Sequence, residues 1–294
     1  MISLNALHYA SLLKRSLQDH KGNAGNLVII GGQPSMQGAI ILAGISALNS
    51  GVGKVHLITL DYPSIAGSFQ YPELMIHDGN EEKQFDSIIK IQPEVICIGN
   101  GLGMGRVASK WLEFSISYHV PIVIDADALN LISKNSELLK IIRKRLWSTV
   151  LTPHPGEMAR MLKEPVLKIQ LKRDAYIKQL IDLSNSIVVL KGQNTLIGMP
   201  NQDILTCQEG NPGMASAGMG DVLSGLIGSL ITQGLHYNLD PWKATCLAVQ
   251  LHSLAADMLV KDGIGPIGLR ASELCAVIRS QINIHSKVQT LSVV

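Results

Sequence analysis

The chain has 294 residues, of which 25 are basic and 23 acidic, and its formal net charge is +2. This length allows a large hydrophobic core, and the near balance of charge argues against nucleic acid or an anionic membrane as the main partner. Four scattered cysteines form no paired metal motif, so we expect reduced and mostly buried thiols. The absence of a signal sequence and of a membrane-spanning apolar run predicts a soluble, cytoplasmic protein.

Strand and helix patterns alternate along the chain without a linker, a low-complexity tract or a clear repeat. Short continuous apolar runs are typical of buried parallel strands, and apolar residues at helical spacing indicate helices. This order predicts one domain over residues 1–294, with a mainly parallel sheet covered on both faces. The predicted strands are 26–32, 53–59, 93–98, 120–124, 149–152, 186–190 and 196–198. The predicted helices include 6–17, 38–49, 158–162, 242–259 and 271–282, whereas 61–83 is less regular and 285–294 is a loose tail or an edge element.

A glycine-rich stretch at residues 210–221 is the strongest candidate for the chemistry. It runs directly into an apolar helical pattern, so we expect Gly218, Met219 and Gly220 at a helix N-terminus. The unpaired N–H groups and the positive dipole end of such a terminus can bind phosphoryl oxygens. Asp221 would then lie beside this anion site and take a proton from an attacking hydroxyl. The alternative is that Asp221 only caps the helix.

Further polar segments follow the predicted strands, whose carboxyl ends form the ligand sites of parallel sheets. Lys191 and the residues after it, as far as Thr195, combine a charge, backbone N–H groups and a hydroxyl that together can bind phosphates. Asp127 can bind sugar hydroxyls or a hydrated metal, or can instead cap the next helix. His154 lies between two prolines, which suits ligand contact. The glycines of 99–105 resemble a dinucleotide fingerprint, but the first strand ends differently, which argues against a Rossmann fold.

Six motifs, in order, resemble those of the ADP-dependent NAD(P)H-hydrate dehydratases, a branch of the ribokinase-like superfamily. The similarity extends over residues 21–272 and comprises Lys-Gly-x-x-Gly with the later Gly-Gly, Gly-x-Gly-Leu-Gly, Val-Ile-Asp-Ala-Asp-Ala-Leu-Asn, Thr-Pro-His-Pro-Gly-Glu, Leu-Lys-Gly and Gly-Asn-Pro-Gly-Met-Ala. The chain departs from the pattern at Asn100, where the family usually has Pro. The resemblance implies a ribokinase-like three-layer α/β/α fold with a mainly parallel central sheet, without the N-terminal epimerase domain of many relatives.

The resemblance implies ADP-dependent dehydration of the S epimer of NADHX or NADPHX, giving NADH or NADPH, AMP and phosphate. Asp221 would be the catalytic base that activates the ring hydroxyl to attack the β-phosphate of ADP. Mg²⁺ is implied as the ion that neutralises the phosphates, and a homotetramer as the assembly. The implied substrate-binding residues are Ala39, Gly103, Asp127, Asn130, His154 and Asp221. The implied nucleotide-binding residues are Lys191, Gly192, Gln193, Asn194, Thr195, Gly218, Met219 and Gly220.

The residues leave two alternative functions open. A ribokinase-like kinase that phosphorylates an alcohol such as a vitamin precursor would use Asp221 and its anion site in the same way, but would release the phosphorylated alcohol intact. A catalytically silent nucleotide-binding protein would have no need of Asp221. The His-Pro-Gly-Glu segment at 154–157 favours the dehydratase over the kinase.

Overall fold

A single ten-stranded sheet organises the computed structural model, which describes residues 2–62, 71–80 and 85–286. The strands are β1 (Ile2–Ser3), β2 (Asn26–Gly31), β3 (Lys54–Thr59), β4 (Leu74–Asp78), β5 (Val95–Ile98), β6 (Ile122–Ile124), β7 (Thr149–Leu151), β8 (Ile187–Leu190), β9 (Thr195–Gly198) and β10 (Leu205–Cys207). Their spatial order is β1-β10-β9-β8-β7-β6-β5-β2-β3-β4. Among the strands that the structure describes, only β9 pairs antiparallel with its neighbours, β8 and β10, which confirms the mainly parallel sheet.

Aliphatic side chains buried on both faces explain why the central strands form. All six residues of β2 are buried, and Ile29 lies opposite Leu57 of β3 in the parallel register. Because side chains alternate along a strand, Leu27 and Ile29 enter one core whereas Val28 and Ile30 enter the other. A sheet with two apolar faces needs a layer of helices on each side.

Two layers of helices supply this cover. The eleven α-helices within the described residues are α1 (Gln37–Asn49), α2 (Phe85–Ile91), α3 (Arg106–Ser117), α4 (Ala126–Lys134), α5 (Ser136–Arg143), α6 (Pro155–Leu162), α7 (Val166–Leu171), α8 (Arg173–Ser184), α9 (Met219–Tyr237), α10 (Pro241–Lys261) and α11 (Ala271–Ser286). Helices α1, α9, α10 and α11 pack on one face, and α2 to α8 pack on the other. The predicted three-layer α/β/α architecture is confirmed.

Some predicted elements differ from the observed ones. The helix predicted at 6–17 is a 3-10 helix over Leu7–Leu12. Ala10 and Leu13 of its apolar pattern are buried, whereas Leu17 is 83% exposed and lies beyond the helix. The segment predicted as less regular at 61–83 contains β4, an edge strand in which only Leu74 is fully buried. Two predictions fall partly outside the described residues. The structure does not describe 63–70 and 81–84, which overlap the less regular segment, or 287–294, which overlap the predicted tail or edge element.

The cysteine prediction is confirmed, since all four thiols are free and buried. Burial raises the pKa of Cys275 to about 11 and that of Cys246 to about 12, so neither is a reactive thiolate at neutral pH. In the part of the chain that the structure describes, no helix has the length and apolarity needed to cross a bilayer.

Candidate active site

The N-terminus of α9 lies where the carboxyl ends of the central parallel strands meet. Its N-cap, Gly218, has φ of 88°, a left-handed conformation that glycine adopts without strain. Because glycine has no side chain, nothing of the N-cap itself occupies the first N–H groups of the helix, which suits anion binding. Asp221 is the third residue of α9 and not its N-cap, so the capping alternative from the sequence is wrong.

Asp221 is a partly buried carboxylate in a crowded electrostatic environment. Burial raises the pKa of Asp221 to about 6, and the negative charges of Asp125 and Asp127 act in the same direction. The hydrogen bond from Asn100 and the positive charge of Lys191 oppose this increase. A carboxylate with a pKa near neutrality can accept a proton and release it within one catalytic cycle.

A buried ion pair joins the end of β8 to the end of β6. Lys191 Nζ lies 2.6 Å from Asp125 Oδ1 and 3.8 Å from Glu157 Oε2, and its side chain is 18% exposed. Burial alone would lower the pKa of Lys191, but the carboxylates of Asp125 and Glu157 outweigh that effect and raise it. Burial also raises the pKa of Glu157 to about 7, against the opposing charge of Lys191. Lys191 is therefore a fixed positive charge at this edge.

Gly220 connects the ion pair to the N-terminus of α9. A methyl group built on Gly220 would lie 3.3 Å from Lys191 Nζ and 3.7 Å from Asp125 Oδ2. The space above Gly220 is therefore bordered by a helix N-terminus and by a lysine ammonium group. These are the two features expected of a site for a transferring phosphoryl group.

Asp127 belongs to a second cluster beside the ion pair. Its Oδ2 accepts a hydrogen bond of 2.8 Å from the Gly103 N–H, and Asn130 donates weakly to Oδ1 at 3.4 Å. Asn130 Oδ1 in turn accepts a bond of 2.8 Å from Arg160 Nε. Ala126 has φ of 47°, a strained conformation that turns the chain sharply between Asp125 and Asp127. The predicted substrate residues Gly103, Asp127 and Asn130 thus lie together.

His154 caps α6, a role that the sequence analysis did not predict. Its Nδ1 accepts a hydrogen bond of 2.9 Å from the Gly156 N–H, while Glu157 Oε2 accepts one of 2.7 Å from the His154 N–H. This reciprocal capping box fixes the imidazole, whose side chain remains 48% exposed. Burial, together with the charges of Lys191 and Arg160, lowers the pKa of His154. A neutral ring is what the acceptor role of Nδ1 requires.

The predicted nucleotide loop is exposed, and a distant arginine holds it. Gly192, Gln193 and Asn194 are exposed, whereas Thr195 Oγ1 donates to the Gly192 carbonyl at 2.9 Å. Arg173, at the start of α8, donates to the Leu190 carbonyl at 2.9 Å and to the Gln193 carbonyl at 2.5 Å. Sequence reasoning missed Arg173, because 17 and 20 residues separate it from the carbonyls that it binds.

Two further predicted residues differ in what they can offer a ligand. The Met219 side chain is 5% exposed and belongs to the core, so only its backbone N–H can face a nucleotide. Ala39, on α1, borders the loop after β5, because a methyl group built on Gly101 would lie 3.2 Å from its Cβ. Ala39 therefore lies beside the loop that contains Gly103.

The charges at this edge fit a divalent cation bound mainly through a nucleotide. The carboxylates of Asp125, Asp127, Glu157 and Asp221 interact with one another and with Lys191, and they would repel a nucleoside diphosphate. Within the described residues no group of three or more His, Cys, Asp or Glu is arranged to hold a metal. Mg²⁺ usually keeps several waters and binds one or two carboxylates together with phosphates, which suits this arrangement.

This fold, with a glycine-capped helix N-terminus and a partly buried acid at the end of its sheet, is that of a ribokinase-like α/β protein. Hydroxyethylthiazole kinase of Pyrococcus horikoshii shares this fold, with a TM-score of 0.61 at 15% identity over 94% of this chain and 92% of that one. The family profile described as NAD(P)H-hydrate dehydratase matches residues 27–279. The chain belongs to the NAD(P)H-hydrate dehydratase family.

Individual relatives support the same assignment. The ADP-dependent (S)-NAD(P)H-hydrate dehydratase of Neisseria meningitidis is 37% identical over an alignment of 282 residues that covers 93% of this chain and 90% of the relative. The bifunctional NAD(P)H-hydrate repair enzyme of Escherichia coli is 36% identical over 92% of this chain, which spans about half (50%) of that relative. The ADP/ATP-dependent NAD(P)H-hydrate dehydratase of Bacillus subtilis, co-crystallised with ATP and Mg²⁺, superposes with a TM-score of 0.80 at 28% identity, over 97% of this chain and 99% of that one.

Proposed function

We propose that the protein dehydrates the S epimer of NADHX or NADPHX to NADH or NADPH, while ADP is cleaved to AMP and phosphate. The names of the relatives favour this reaction over the phosphorylation of a stable alcohol. The observation that carries the proposal is a partly buried carboxylate, Asp221, in the first turn of α9 beside the space bordered by Gly220 and Lys191. Base, anion site and positive charge thus converge on one point.

Asp221 is the general base of the proposed reaction. Its Oδ1 is held by Asn100, and Oδ2 is the atom that we assign to take the proton of the ring hydroxyl. The hydroxyl oxygen then forms a bond to the β-phosphorus of ADP, and the bond from that phosphorus to the oxygen of AMP breaks. The Asp127 cluster, with Gly103 and Asn130, is positioned to bind the hydrate.

The N-terminus of α9 and Lys191 stabilise the transferring group. The N–H groups of Met219 and Gly220 lie at the positive end of the helix dipole. Lys191 adds a full positive charge, and its Nζ is held in place 2.6 Å from Asp125 Oδ1. Asp125 and Glu157 would hold Mg²⁺, which would supply the positive charge that balances the phosphates against these carboxylates. The phosphorylated hydrate then loses phosphate from one ring carbon and a proton from the next, which restores the dihydropyridine.

The test is recovery of the near-ultraviolet absorbance of the reduced nicotinamide ring. Purified protein is mixed with NADHX and Mg²⁺, with ADP, ATP or no nucleotide in parallel. We expect recovery only with a nucleotide, fastest with ADP, together with one AMP and one phosphate for each NADH formed. Folded protein that restores no absorbance with either nucleotide would rule out the dehydratase and favour a screen of kinase substrates.

Gly220→Ala is expected to lower kcat/KM at least about 100-fold while the protein remains folded. Gly220 has ordinary helical geometry, so alanine introduces no strain and even favours the helix. The new methyl group would however lie 3.3 Å from Lys191 Nζ, in the space assigned to the phosphoryl group. Steady-state kinetics and thermal unfolding check this. Wild-type activity in a folded variant would place the phosphoryl group elsewhere.

The rate of dehydration is expected to fall in acid, with an apparent pKa near 6. Burial raises the pKa of Asp221 to about 6, and only the ionised form can accept the hydroxyl proton. Below that pH kcat should fall about tenfold for each pH unit, and above it kcat should level off. AMP formation at saturating substrates measures this profile. An acidic limb that persists in the residual activity of Asp221→Asn would assign the titration to another group, such as Glu157.

The domain count, location and assembly belong to the same proposal. We infer one domain, a cytoplasmic protein and a homotetramer, supported by the single sheet and by the resemblance to the family. Sedimentation of the purified protein tests the tetramer directly. A monomer that is fully active would remove the assembly from the proposal and leave the reaction unaffected.

A further inference from the structure

Asn100, a fully buried residue after β5, contacts the proposed catalytic base directly. Its Nδ2 donates to Asp221 Oδ1 at 2.7 Å and to Ser224 Oγ at 2.8 Å. The backbone carbonyl of Asn100 accepts a hydrogen bond of 2.9 Å from the Gly32 N–H, which holds the residue at the end of β2. Through its backbone and its side chain together, Asn100 therefore links the ends of β2 and β5 to the first turns of α9.

Hydrogen-bond chemistry fixes the orientation of this amide. Ser224 Oγ donates its proton to the Asp221 carbonyl at 3.0 Å, so only its lone pairs can face Asn100. Asp221 Oδ1 also accepts when the carboxylate is ionised. Two acceptors therefore face Asn100, and the amide must present its NH₂ group to them.

The side-chain oxygen of Asn100 indicates that the stability of the folded state does not explain why an asparagine occupies this position. Asn100 Oδ1 is buried and has no hydrogen-bond partner among the residues that the structure describes. A buried acceptor without a partner destabilises the folded state, and an apolar side chain of similar size would avoid that cost. What the asparagine does gain is the bond to Asp221, a charged acceptor at the centre of the site.

We propose that Asn100 is a positioning residue of the dehydration reaction: its side-chain amide holds Asp221 Oδ1, so that Oδ2 is left to take the hydroxyl proton. The inference rests on the proposed function for the identity of the reaction. Asn100 itself neither gains nor loses a proton. It acts through Asp221 and need not touch the substrate.

Among the groups around Asp221, Asn100 does most to favour the ionised carboxylate. Burial raises the pKa of Asp221, and Asp125 and Asp127 at the end of β6 add to the increase. Lys191, at the end of β8, lowers the pKa but is already paired with Asp125 at 2.6 Å. The hydrogen bond from Asn100 is the largest effect that favours the ionised form.

Asn100→Leu tests the inference, because leucine is close to asparagine in shape and removes both the donor and the unpaired acceptor. The acidic limb of the kcat profile should move upward by roughly one to two pH units, since a hydrogen bond to a charged group contributes that much. The KM for ADP should change little. Asn100→Ser, which keeps a small polar side chain, serves if the leucine variant does not fold.

Asn26→Ala is the matched control. Asn26 is also buried, and its Nδ2 donates to the Ile91 carbonyl at 2.5 Å. Its Oδ1 likewise has no partner within the described part of the chain, but Asn26 lies at the opposite end of β2. This variant should melt at a lower temperature and keep the wild-type acidic limb. An Asn100 variant that loses stability without any movement of the limb would reduce Asn100 to a structural residue and overturn the inference.

A measurement without substrate separates this inference from the proposed function. The carboxyl carbon of Asp221, identified by the loss of its NMR signal in Asp221→Asn, can be titrated in wild-type protein and in Asn100→Leu. The midpoint should be higher in the variant even if the protein dehydrates no hydrate. Equal midpoints would overturn the inference whatever reaction the enzyme catalyses.

Discussion

Asp221→Asn is expected to lower kcat for dehydration by about 100-fold to 10,000-fold, the usual contribution of a general base. Asparagine keeps the shape and can still accept the bond from Asn100, but it cannot take the hydroxyl proton. The KM for ADP should change much less, because the anion site at Gly218 to Gly220 remains. Initial rates of AMP formation and of NADH recovery measure both parameters.

The same variant should be at least as stable as the wild type at neutral pH. Burial raises the pKa of Asp221 to about 6, above its unfolded value, so the stability that this carboxyl contributes is fully present in acid and is lost as the pH rises through about 6. Asparagine removes the buried charge. Inactive protein with an unchanged or higher melting temperature would support the role of base; wild-type activity would exclude it and favour a silent nucleotide-binding protein.

The central strands were predictable from sequence because their environment is uniform. Residues such as Leu27 to Ile30 are buried on both faces, so an uninterrupted apolar run is enough to identify the strand. The edge strand β4 was not predictable, because it is only half covered and its residues follow no strict pattern. The common location of the polar loops was also predictable, because parallel strands bring the loops after their carboxyl ends to one edge of the sheet.

The contacts that adjust the site could not be predicted from the sequence. Asn100 binds a carboxylate 121 residues away, and Lys191 pairs with Asp125 across 66 residues. Local sequence patterns carry no information about such distant pairs. The capping box of His154 and Glu157 was not predicted, because the same residues were interpreted as a ligand-binding motif. The roles assigned to the individual site residues remain predictions, since they require a measurement with the substrates.

Lys191→Met is expected to destabilise the fold by about 3–5 kcal/mol and to abolish measurable dehydration. The ammonium group lies 2.6 Å from Asp125, which is 2% exposed, so its removal leaves a buried carboxylate without its partner. The same group borders the phosphoryl space above Gly220. Denaturant unfolding measures the first effect, and nucleotide binding at a temperature where the variant is folded measures the second.

Two further variants separate these effects. Lys168→Met removes an exposed ion pair, with Glu164 at 3.2 Å and the lysine side chain 61% exposed, and should change stability by less than about 0.5 kcal/mol. Adding Asp125→Asn to Lys191→Met should restore part of the lost stability, because the buried Asp125 charge is then removed while Glu157 still lacks Lys191, but it should not restore the activity. If the double variant also regained activity, Lys191 would serve only to neutralise Asp125, and the phosphoryl group would depend on the α9 N-terminus alone.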